Sequence, residues 1–122
     1  DPPLPLPDIT YRNIAGGWEL SQWNGEELIE GSYLYIEFDG NARRFEMWDN
    51  LGSMYTQQRA GTYSISTNTK GEYILCGTYD NGVGDWNAEY VVSIDQEATE
   101  MVWRSEDETS IFCRIAEIPE LD

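Results

Sequence analysis

From Trp18 to near its C-terminal end the chain repeats one unit: a short run of alternating apolar and polar residues, then a turn rich in Gly, Asn or Asp. Period-two alternation marks a half-buried strand, because successive side chains of a strand point to opposite faces. About eight such runs can be traced, at residues 18–23, 33–38, 42–48, 59–66, 72–79, 87–94, 99–105 and 110–116. Asn24-Gly25 closes the first, and Asp39-Gly40 between two apolar runs is the strongest hairpin signal. No stretch carries a sustained helical period, and short connections make consecutive runs antiparallel neighbours. The reading is an all-β chain: an antiparallel up-and-down barrel of about eight strands, whose closure removes exposed edges. A two-sheet sandwich is the competing architecture.

Alternation also sorts the faces. Trp18, Leu20 and Gln22 share the inner side with Leu34, Ile36 and Phe38, then Phe45 and Met47. Gly61, Tyr63 and Ile65, then Tyr90, Val92 and Ile94, then Met101 and Trp103 continue it. Each large apolar side chain fully buried contributes roughly 1.5–3 kcal/mol, enough in sum to hold a small domain. Trp23, Tyr35, Trp48 and Tyr79 fall on the outer side.

The 122 residues suit one core and not two. Residues 1–13 read as a Pro-rich leader and 14–122 as the barrel domain. Four of the five prolines lie in residues 1–7, so this segment is extended. It is either a spacer from something upstream or a frayed terminus. Asp8 to Ile14 can form one helical turn, with Asp8 as N-cap and Gly16 ending it. A chain that opens on Asp1 rather than Met is expected of a mature form trimmed of an export signal.

Charge and missing residue types exclude whole classes of function. Seven Lys and Arg against 23 Asp and Glu leave a net charge of −16. Such a chain is a poor partner for nucleic acid or anionic lipid, whose recognition needs cations set against phosphate. With no histidine there is no Ser-His or Cys-His pair and no imidazole metal site. No apolar run reaches the roughly 20 residues that a membrane-spanning helix needs. The loop from Asp80 to Asp85 gathers oxygen donors that Ca²⁺ accepts, but it lacks the spacing and terminal Glu of an EF-hand, and turn chemistry explains it. Glu26, Glu27 and Glu30, and Glu106, Asp107 and Glu108, read as solvated turns rather than as a pair of catalytic carboxylates across a cleft. Cys76 and Cys113 fall on non-adjacent strands, too far apart for a bridge, so they are read as free, buried thiols. No metal, cofactor or catalytic residue is assigned.

Ile14-Ala15-Gly16-Gly17-Trp18-Glu19-Leu20 matches the G-x-W opening of lipocalins and the wider calycin barrels. Together with residues 35–40, 61–65 and 112–115, it resembles the short lipocalin-like domains exported by gut-dwelling Gram-negative bacteria. The resemblance spans residues 14–116. It implies a calycin-type barrel in which a C-terminal arginine packs over the first-strand tryptophan, nominating Gly16, Trp18 and Arg114 as barrel closure rather than chemistry. The chain departs from full-length lipocalins in having no room for their C-terminal helix and no T-D-Y motif. The resemblance further implies a periplasmic, outer-membrane or cell-surface location, with a membrane reached only through an upstream anchor.

Two functions follow as expectations. The first is binding of a small apolar or aromatic molecule at the barrel mouth opposite Trp18, with Trp48, Tyr55, Tyr79 and Trp86 as candidate ligand contacts. The second is a protein-interaction or inhibitor module at the cell envelope, using loops and the acidic surface. Neither is an enzyme. Which applies turns on whether the barrel interior is open or filled by side chains.

Overall fold

The computed structural model describes residues 8–51, 55–80, 84–85, 89–106 and 108–119, with only the backbone for 84–85. Eight long strands form the barrel: β1 (Gly16–Trp23), β3 (Leu34–Asp39), β4 (Arg44–Asp49), β5 (Gln57–Thr67), β6 (Tyr73–Tyr79), β8 (Tyr90–Ile94), β9 (Glu100–Arg104) and β10 (Thr109–Ile115). Two-residue strands β2 (Glu26–Glu27) and β7 (Gly84–Asp85) flank it, pairing with β1 and β6. All pairings are antiparallel, and β10 returns to pair with β1, so the sheet closes on itself. The barrel, not the sandwich, is the architecture.

The core is the inner face that the alternation marks. Trp18, Ile36, Leu75 and Met101 are fully buried, and Phe38, Phe45, Val92 and Phe112 nearly so. Leu34, Ile65 and Tyr90 are only partly covered. Ile9 and Ile14 join this core from outside the barrel strands.

Three local expectations change. Thr10, not Asp8, caps the N-terminal turn: its hydroxyl accepts from Asn13 N at 3.0 Å, while Ile14 N donates to Thr10 O at 3.2 Å. Asp8 instead lies beside the Tyr73 hydroxyl, which its hydrogen bond, ahead of burial, holds above the ordinary tyrosine range. The β3–β4 hairpin does form, with its turn running on past Gly40 and Asn41 to Arg43. Asp39 pairs with Arg44, and the left-handed position falls on Arg43 at φ 56°. Gly40 is needed for another reason, since a Cβ there would lie 2.5 Å from the Tyr11 carbonyl oxygen.

The third change is a bulge in β1. Leu20 faces Phe112 but Gln22 faces Ile111, so Ser21 is the extra residue. An inserted residue reverses the alternation beyond it. Trp23 therefore shares the side of Ser110, and with it that of Phe112, which is the inner side.

Candidate functional site

The two ends of the barrel differ. At one end Trp18 is buried, its Nε1 donating to Ile14 O at 2.9 Å. The Arg114 guanidinium carbon lies 4.2 Å from the centre of the indole, in cation–π contact. Its nitrogens donate to Asn13 O, Ala15 O and Ala98 O, each at 2.7 Å. Gly16, at φ 105°, takes a backbone conformation that side chains rarely adopt, and a Cβ there would meet Arg114 at 3.1 Å. Burial pulls Arg114 below the ordinary arginine value. Gly16, Trp18 and Arg114 thus meet in one closure.

The other end opens into a cavity of about 610 Å³. Leu20, Leu34, Met47 and Phe112 form its apolar depth, and Trp23, Tyr79, Tyr90 and Trp103 add aromatic wall. The Tyr90 and Trp103 ring centres are 5.2 Å apart, those of Trp103 and Phe112 4.6 Å. Leu28 and Ile29, in the connection that follows β2, and Leu51, after β4, also line the cavity. Trp23, Ile29 and Leu51 are 49%, 83% and 38% exposed, so three of the four exposed large apolar side chains among the described residues gather at this mouth.

The candidate contacts divide. Tyr79 lines the cavity, edge-on to Phe45 at 5.8 Å between ring centres, and so faces inward rather than outward. Trp48 alternates with the buried Met47 and Asp49 and is placed on the outer face, away from the cavity walls. Tyr55 is 76% exposed and is not among those walls. Trp86 lies outside the described residues. The walls also hold residues that the sequence reading passed over. Trp23 enters through the bulge, and Glu26, Glu27 and Glu108 come from acid runs read as solvated turns. Arg59 lines the cavity as well, 3.3 Å from the buried Asp49.

Two other sequence signals resolve differently. Cys76 and Cys113 are free, as expected, but half-buried on the outer face rather than buried, with Cys76 Sγ 3.1 Å from Ser64 Oγ. In the oxygen-rich loop, Asp80 pairs with Arg44, and residues 81–83 lie outside the described residues.

A model of the lipocalin-like domain matches residues 14–103. The chain belongs to the lipocalin-like domain family. Among solved structures, its barrel is similar to that of a lipocalin-like protein from Bacteroides uniformis ATCC 8492, at 18% identity and a TM-score of 0.60. That alignment covers 84% of this chain and 99% of the other, and at this identity it speaks for the fold. Comparison with curated proteins finds no match. The matched region contains the Trp18 plug and most of the cavity wall of the lipocalin-like barrel, whereas Arg114 and Phe112 lie beyond it.

Proposed function

We propose that this lipocalin-like barrel binds a small apolar or aromatic molecule in the cavity at its open end. The observation that carries the reading is the cavity itself, about 610 Å³, plugged at one end and walled by apolar and aromatic side chains. Pockets of this size and lining suit small ligands. A filled interior would have left loops and acidic surface as the working parts. Lipocalin-like barrels are generally binders rather than enzymes, and the reading is one of binding without chemistry. We place the protein in the periplasm or at the cell surface. The support is the family blocks in the sequence and the bacterial source of its structural neighbour; fractionation of native cells tests it.

A neutral, polarity-sensitive fluorophore tests the binding. It is expected to bind with a blue shift and to raise Tm. Trp23→Ala, at the lumen wall, weakens binding about ten-fold, the equivalent of roughly half a buried aromatic side chain. Trp48→Ala, on the outer face, leaves it unchanged. A probe that binds both variants as tightly as the parent would place it outside the lumen and overturn the reading.

A further inference from the structure

The charged groups around the cavity are unevenly divided. Glu26 and Glu27 on β2 and Glu108 just before β10 put three carboxylates on its rim. Among the described residues of the wall, Arg59 is the one cation, and it is already engaged. Its Nη1 lies 3.3 Å from Asp49 Oδ2, and its Nη2 donates to Gln57 Oε1 at 2.6 Å.

Asp49 makes that engagement hard to break. It is 2% exposed and points inward from β4, in line with Phe45 and Met47. Its Oδ1 accepts from Leu51 N, while Oδ2 accepts no hydrogen bond among the described residues. Arg59 supplies its countercharge. An anionic ligand that drew Arg59 away would leave a buried carboxylate uncompensated, which is strongly destabilising. Arg59 therefore balances Asp49 and is not a free anion site.

What remains to meet a ligand is negative and aromatic. The faces of Trp23, Tyr79, Tyr90 and Trp103 attract cations through their quadrupoles. Glu108 is close enough to Tyr90 that, after burial, its charge helps hold that hydroxyl above the ordinary range. The net charge of −16 biases the surroundings in the same direction.

From this we infer that the ligand is an apolar cation: an amine or quaternary ammonium with an alkyl or aromatic body. The body fills the lumen, and the charge rests at the rim among Glu26, Glu27 and Glu108. This rests on the lumen-binding reading above and narrows it to a ligand class.

Three probes with one tail separate the two claims: dodecylamine, dodecanol and dodecanoate, each below its aggregation limit, displacing the neutral fluorophore. The amine is expected to bind about ten-fold tighter than the alcohol, with dodecanoate weakest. Raising salt from about 0.05 to about 0.5 M narrows the gap, because rim charges are screened. The combined Glu26→Gln, Glu27→Gln and Glu108→Gln variant removes the amine's advantage, so that amine and alcohol bind it alike. These positions are exposed or half-covered, so the fold is kept and Tm does not fall. Dodecanoate or dodecanol binding as well as the amine would overturn the cation inference and leave lumen binding standing. Failure of all three tails to displace the fluorophore would overturn lumen binding itself.

Discussion

Arg114 ties two separate backbone segments to one indole, that of Trp18: Asn13 and Ala15 before β1, and Ala98 in the β8–β9 turn. Truncation removes charged hydrogen bonds and leaves their carbonyls unmet, so Arg114→Ala is expected to cost about 2–3 kcal/mol in urea unfolding. Arg114→Lys keeps the charge but loses the planar fork, and falls between parent and Ala. A loss below about 0.5 kcal/mol for Ala would show that the closure holds without it. Tyr63 is the opposite case, a polar group the core would do better without. It is 4% exposed, and its hydroxyl has no hydrogen-bond partner among the described residues. Burial foremost, then nearby Tyr11 and Asp39, push that hydroxyl up to about 12. A folded value above the unfolded one means the folded state keeps the proton longer, so this contribution is complete below about pH 10 and is lost as pH rises through 12. Tyr63→Phe is therefore expected to match or exceed the parent's Tm at pH 7 and to move alkaline unfolding to higher pH. An alkaline midpoint equal to the parent's would refute the assignment to Tyr63.

At the scale of elements, Gly61 shows where two strands approach too closely for any side chain. A Cβ there would overlap the Thr78 carbonyl oxygen of β6, which is backbone and cannot step aside. Gly61→Ala is expected to cost more than about 3 kcal/mol, since neither β5 nor β6 can shift without breaking register. A Tm within a few degrees of the parent would refute this. Gly61 reads from the sequence only as one more inward position, because steric approach between strands leaves no trace in alternation. The strand count, the turns after Trp23 and Asp39, and most of the inner face were legible, because period-two patterning and turn chemistry are local. Asn24 and Gly25, at φ 53° and 82°, take the left-handed pair of conformations that an Asn-Gly turn demands. What local patterning could not show is a change of phase. The bulge at Ser21 carries no sequence mark, and it moves Trp23 from the outer face to the lumen wall. In β6, Tyr73-Ile74-Leu75 is apolar without a break, so nothing in the pattern turned Tyr79 inward. The position of the solvated rim acids beside the cavity is hidden for a related reason. Whether an exposed Glu faces a cavity depends on how β2 folds back along β1, a pairing of two residues that no periodicity announces.

For the molecule as a whole, charge is the unresolved strain. The excess of 16 acids over bases leaves most carboxylates without a countercharge, and three ion pairs are formed among the described residues, by Arg44, Arg59 and Arg104. Folding into a small barrel brings these like charges closer than they stand in the unfolded chain, so self-repulsion acts against the native state. Salt relieves it, because the screening length falls from about 30 Å at 0.01 M to about 3 Å at 1 M. Tm is therefore expected to rise with sodium chloride, most steeply at low ionic strength, by about 3–6 °C for each kcal/mol of repulsion removed. Arg114→Ala separates this from specific contacts. The closure rests on short hydrogen bonds and an indole face that salt screens little, so parent and variant should gain the same number of degrees. Potassium chloride at equal ionic strength should act as sodium chloride does if screening is the cause. A flat or falling Tm below about 0.2 M would show that the acidic surface carries no stability cost. The excess charge would then matter to the protein only through what it draws toward the open mouth.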